Sequence, residues 1–142
     1  SYTIPDGVKY IATNAFEASA PRKVILSEGI LSIGEGAFAH SGIEEIVFCP
    51  HAPDEHCTCR KPLPKMGLTL IKKYKIDTTK SYMIGDKKAD VEFGQALGCK
   101  TILVTTANGH RHLKKYPHLS PDKVATNLLN AAKFIQKDSE GK

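Results

Sequence analysis

The stretch from Cys49 to Pro62, C-P-H-A-P-D-E-H-C-T-C-R-K-P, constrains this chain more than any other. Cys49, His51, Cys57 and Cys59 fall within eleven residues, and Arg60 and Lys61 follow at once. So polar a loop gains little from hydrophobic burial, and something else must order it. A structural Zn²⁺ takes four ligands in a tetrahedron, with sulfur at about 2.3 Å and imidazole nitrogen at about 2.0–2.1 Å. A C-x-H pair and a C-x-C pair meet that geometry if the loop folds back once. The spacing therefore predicts zinc at Cys49, His51, Cys57 and Cys59. Two alternatives stay open: a Cys49–Cys57 or Cys49–Cys59 bridge in an oxidising compartment, and thiols without a ligand. Cys57 and Cys59 are too close together for an easy disulfide. His56 is a rival ligand, but it abuts Cys57 and is expected to face solvent.

The rest of the composition sets broad limits. At 142 residues the chain is one domain, or a domain with a short appendage. Its 41% apolar and 25% charged residues are those of a soluble globular protein. No apolar run is long enough for a membrane span, so no membrane role is expected. Nothing at the start as given reads as a signal peptide. Cys99 lies in an apolar context and reads as a small core residue. Clustered thiols beside a histidine suggest a reducing cytoplasm. The net charge of +5 is uneven: residues 1–48 carry −3 and residues 49–142 carry +8. A basic half suits an anionic ligand such as a phosphate ester. The lysines are dispersed, with no aromatics interleaved to stack bases, which argues against nucleic acid.

The first third repeats itself at a spacing of 22. Gly7 matches Gly29, Val8 matches Ile30, Ile11 matches Ile33, Ala15 matches Ala37, Phe16 matches Phe38, and Ser19 matches Ser41. Val24-Ile25 matches Ile46-Val47. A period of this size predicts stacked coils, each with a short strand and a turn. The expected strands are Lys23–Ile25 and Glu45–Phe48, with the Ala-Phe pairs filling each coil. The pattern resembles leucine-rich repeats of the BspA type, over residues 4–48. That resemblance implies a two-coil scaffold over residues 1–43, with a protein-binding role at most.

Residues 44–142 read as an α/β segment. Gly67, Leu70, Ile71 and Tyr74 recur at helical spacing and predict a helix over Lys65–Lys75. Ser81–Ile84 and Thr101–Thr105 read as buried strands. Ala89, Phe93, Ala96 and Leu97 predict a helix between them, stopped by Gly98. A long basic loop is expected from Ala107 to His118. Ser120 and Pro121 then open a last helix with Val124, Leu128, Ala131 and Ile135 on its apolar stripe. Alternating strands and helices imply a parallel sheet, with ligands at the carboxyl ends of its strands. Asp86 falls at such an end, as do Asn108, Gly109 and His110. Lys87 and Lys88 follow Asp86, and Asp90 lies one helical turn on. That set suits Mg²⁺ and a phosphate. The alternative is that Asp86 caps the next helix and Asp90 is solvated.

The zinc loop, followed by S-Y-M-I-G-D-x-x-x-D-V-x-x-G-x-x-x-G-C-K-T-I-L-V, resembles one branch of the haloacid dehalogenase (HAD) superfamily. That branch holds the D-glycero-D-manno-heptose 1,7-bisphosphate phosphatases and the histidinol-phosphate phosphatases. The resemblance spans residues 43–136 and implies a Rossmann-like, HAD-type half-domain that acts on a small phosphorylated metabolite. By that match Cys49, His51, Cys57 and Cys59 hold structural zinc, and Arg60 and Lys61 neutralise the phosphoryl group. Asp86 matches the Mg²⁺ ligand, Lys87 stands beside it, and Asp90 is a supporting acid. Members of this family carry a nucleophilic aspartate in D-x-D-G-T/V, and no D-x-D occurs here. Asp6-Gly7-Val8 imitates the end of that motif, but Ile4 stands in the place of the nucleophile. The T-N-Q-S-G-like second motif is also absent. Covalent phosphoryl transfer needs the nucleophile, so the reading is a phosphatase lineage with no catalytic residue of its own. Any Mg²⁺ site resting on Asp86 alone is expected to be weak or vestigial. The competing reading is a non-catalytic interaction module.

Overall fold

The apolar runs after Ser81 and Cys99 become neighbouring strands in the computed structural model of the chain. The structure describes residues 2–3, 10–12, 15, 24–25, 32–33 and 45–141. It divides the chain into two units, Ser1–Cys57 and Thr58–Lys142.

In the first unit four two-residue strands are described: β1 (Tyr2–Thr3), β2 (Tyr10–Ile11), β3 (Val24–Ile25) and β4 (Ser32–Ile33). They pair in parallel, β1 with β3 and β2 with β4. Tyr2 faces Val24 and Tyr10 faces Ser32, so both ladders step by 22 positions, the spacing of the sequence repeat. Ile11 is buried and Tyr10 exposed, the in–out alternation of a strand. The expected strand Lys23–Ile25 is described over Val24–Ile25. Glu45–Phe48 has no regular structure, so the second expected strand does not form there. Ala15 is exposed. Phe16, Ala37 and Phe38, like Asp6-Gly7-Val8, lie outside the described residues.

The second unit carries a three-stranded parallel sheet in the order β5 (Tyr82–Gly85), β6 (Lys100–Val104), β7 (Lys123–Ala125). Helix α1 (Lys65–Tyr74) precedes it, α2 (Lys88–Leu97) links β5 to β6, and α3 (Gly109–Lys115) lies between β6 and β7. Helix α4 (Leu128–Glu140) closes the chain. Strand alternation sends β6 side chains to two faces. Ile102 and Val104 pack with Ala125 and with Ala131, Phe134 and Ile135 of α4. Thr101 and Met83 meet α2 at Gly94. Ile102, Leu103, Val91 and Thr101 are the most deeply buried large side chains.

Three features differ from expectation. The buried face of α2 is Asp90, Val91, Phe93 and Gly94, while Ala96 is exposed. The basic stretch is a helix, α3, not a loop. A Cβ on Gly109 would sit 1.8 Å from the Val104 carbonyl oxygen, so only glycine lets this helix start against β6. Ser120 and Pro121 start no helix; β7 follows them, and α4 begins later. Asp122 anchors β7, accepting from the Thr101 backbone N–H at 2.7 Å and its hydroxyl at 3.0 Å. The Asn127 side chain then caps α4, accepting from the Asn130 N–H at 2.9 Å. Val124 and Leu128 are accordingly exposed. Elsewhere the ends fall near their signals: Lys75 and Gly98, at φ 52° and 75°, close α1 and α2. At the amino-terminal ends of β5 and β6, Asp138 of α4 accepts from the Tyr82 hydroxyl and pairs with Lys100 at 2.6 Å.

Candidate metal centre and phosphate site

The loop before α1 brings its four soft ligands together. Among the described residues, Cys49, His51, Cys57 and Cys59 are the one group of three or more Cys, His, Asp or Glu side chains placed to hold a metal. Their ligand atoms all lie within 4.8 Å of one another. Cys49 Sγ is 3.4 Å from Cys57 Sγ and 3.5 Å from His51 Nδ1. A disulfide measures about 2.05 Å, and none joins the four described cysteines. The edge of a zinc tetrahedron with Zn–S of about 2.3 Å is about 3.8 Å. The spacing is thus close to that of ligands around one small ion, and three thiols with an imidazole are the donors zinc prefers. His56, in a left-handed turn at φ 48°, is exposed and outside the group.

The second constellation forms where β5 ends. Asp90 is buried, 5% exposed, and its side chain is folded back over that end. Its Oδ2 accepts from the backbone N–H groups of Asp86 at 3.2 Å and Lys87 at 3.1 Å. Its Oδ1 pairs with Lys61 Nζ. So Asp90, not Asp86, caps the turn into α2, and it is not solvated. A Cβ on Gly85 would lie 2.3 Å from Asp90, so this return depends on glycine. Asp86 turns the other way. Its Oδ2 accepts from the Asn108 backbone N–H at 3.0 Å and the Asn108 amide at 2.8 Å. Burial pushes the Asp86 pKa up, but the Asn108 donors and the Lys87 charge outweigh it, and it lies below the usual Asp value. Asp86 is therefore an anion at neutral pH.

Lys61, Asp86, Lys87 and Asp90 are thus gathered at one strand end, across a sequence gap of 29 residues between Lys61 and Asp90. Arg60 is half-buried just before Lys61, and its carbonyl accepts the Leu63 N–H at 3.0 Å. Two contacts are not evident from residue type alone: Asn108 bonds Asp86, and His112 lies in the basic stretch expected to be a loop. Its Nδ1 accepts from the Lys88 backbone N–H at 3.0 Å. The clue was their spacing of four, one helical turn, had a helix been read there.

Chemically, the strand end offers a fixed carboxylate beside cations, suited to a phosphate with one divalent ion. Asp86 fits as one ligand of Mg²⁺, which keeps several waters and takes one or two carboxylates plus substrate oxygens.

The chain matches the HAD-hydrolase-like family over residues 58–131. It is 42% identical over 73 residues to the D-glycero-beta-D-manno-heptose-1,7-bisphosphate 7-phosphatase of Pseudomonas putida, covering 51% of this chain and 42% of that one. It is 43% identical over 60 residues to the histidine biosynthesis bifunctional protein HisB of Buchnera aphidicola, covering 41% of this chain and 17% of that one. Among solved structures it is similar to the D,D-heptose 1,7-bisphosphate phosphatase of B. bronchiseptica, complexed with magnesium and phosphate. There the identity is 28% and the TM-score 0.57, covering 77% of this chain and 54% of that one. The chain spans about half the length of the heptose bisphosphate phosphatases it matches. Since the family match extends over more than half of its residues, the chain belongs to the HAD-hydrolase-like family.

Proposed function

We propose that residues 44–142 are the carboxyl-terminal part of a phosphomonoester phosphatase of the heptose bisphosphate or histidinol phosphate type. The observation that carries this is the convergence of Lys61, Asp86 and Asp90 at the end of β5. In this reading Cys49, His51, Cys57 and Cys59 hold a structural Zn²⁺ that shapes the loop leading into Arg60 and Lys61. Lys61, steadied by Asp90, offers a cation to the phosphoryl oxygens, and Arg60 and Lys87 add to it. Asp86 presents its carboxylate to Mg²⁺, which when bound would neutralise phosphoryl charge. The thiol cluster suits a reducing cytoplasm.

The same residues bind but do not attack. A carboxylate nucleophile in D-x-D is absent, so the chain alone holds a phosphate without cleaving its ester. Incubation with heptose bisphosphate or histidinol phosphate and Mg²⁺ is expected to release no phosphate above background. Turnover that disappears in Asp86→Ala would overturn the proposed inactivity. The binding half is tested separately: inorganic phosphate with Mg²⁺ should shift the amide resonances of Lys61 and Asp86–Asp90, and unmoved resonances would count against it.

A second reading has an observation of its own. The two parallel ladders that step by the repeat length favour residues 1–43 as stacked coils of leucine-rich-repeat type. An interaction module built on such coils would bind a protein partner and leave the phosphate site vestigial.

A further inference from the structure

Helix α3 grips the turn that carries Asp86 from outside, at two points one helical turn apart. At its cap, Asn108 gives two donors to Asp86 Oδ2. The orientation of that amide is itself set, because its carbonyl oxygen accepts from Arg111 at 2.6 Å. The nitrogen of the amide must then face Asp86. One turn on, His112 Nδ1 accepts the Lys88 backbone N–H at 3.0 Å. A neutral ring in that role carries its proton on Nε2. The ring lies against Tyr116, with centroids 5.4 Å apart, and Lys88 Nζ sits 5.4 Å from the Tyr116 centroid. Helix α3 is seated by Gly109 against the Val104 carbonyl, so these contacts share a rigid base.

The consequence falls on the other oxygen of the carboxylate. Asp86 Oδ2 is held by two N–H groups of Asn108. Fixing one oxygen and the backbone two residues on fixes the plane in which the other is presented. We infer that Asn108 and His112 are positioning residues that aim Asp86 Oδ1 at a bound divalent cation. This rests on the reading of Asp86 as a cation ligand, and adds who orients it. Groups that orient metal ligands in this way change affinity by about 10- to 100-fold when removed.

The test uses the full chain and Mn²⁺ with inorganic phosphate, followed by paramagnetic broadening of backbone amide resonances. Four variants are compared: Asp86→Asn, Asn108→Ala, His112→Phe and His112→Asn. His112→Phe keeps a ring against Tyr116 but cannot accept; His112→Asn restores an acceptor without the ring. Wild type should broaden around Asp86 and Asp86→Asn should not. Asn108→Ala and His112→Phe should need about 10-fold more Mn²⁺, and His112→Asn should return toward wild type. If Asn108→Ala and His112→Phe titrate as wild type while Asp86→Asn fails, the inference is overturned and the reading of Asp86 stands. If wild type shows no site at Asp86, that reading falls and the inference falls with it.

Discussion

Gly85 and Asp90 are closely coupled, because the Asp90 side chain fills the space that a Cβ at 85 would need. An alanine at 85 would place its Cβ 2.3 Å from the Asp90 side chain, which must then leave its two backbone donors and Lys61. Gly85→Ala is expected to cost about 1–3 kcal/mol in urea unfolding. Asp90→Ala should cost about as much, ~1–3 kcal/mol, by stranding buried N–H groups. Asp90→Asn, which still accepts from them, should cost less. Asp86 gives the pH dependence. Its folded-state carboxyl lies below the usual value because of the Asn108 donors and Lys87, despite burial. The folded chain therefore binds that proton less readily than the unfolded one. Its stabilisation is whole above about pH 4 and is lost as pH falls through the folded value. In Asp86→Asn, melting temperature should fall less steeply with acid than in wild type. Cys99 is half-buried, and burial pushes its thiol pKa up. It should alkylate more slowly than an unperturbed thiol in timed mass spectrometry.

Among the elements, the loop from Cys49 to Lys61 is the one that the proposed zinc would order. Purified protein should hold one zinc per chain, and Cys57→Ser less; metal analysis measures both. Stripping the ion should speed amide exchange over residues 49–61 and leave β5 and β6 protected. The helices α1 and α2 were legible in sequence because their apolar residues recur at helical spacing and, for α2, Gly98 marks the stop. Strand β7 was not, because Lys-Val-Ala is short and half polar, and Ser120-Pro121 imitates a helix start. Pairing with β6 and the Asp122–Thr101 bonds decided it instead. Helix α3 was hidden because His, Arg and Lys give it no apolar stripe. The site residues could be named by type and spacing. Their pairings could not, since Lys61 meets Asp90, and Asp86 meets Asn108, only after the sheet has formed.

For the whole molecule, the structure falls into two units, Ser1–Cys57 and Thr58–Lys142. Among the described residues no helix is long and apolar enough to cross a membrane. The sheet of the second unit also has two unlike rims. Asp86 and Asn108 follow the carboxyl ends of β5 and β6, whereas Tyr82 and Lys100 open those strands and are tied to Asp138 near the tail. Asp138→Ala would thus unfasten the back of the sheet without touching its front. That variant should show poor yield and early melting, while its surviving molecules still take up ions normally.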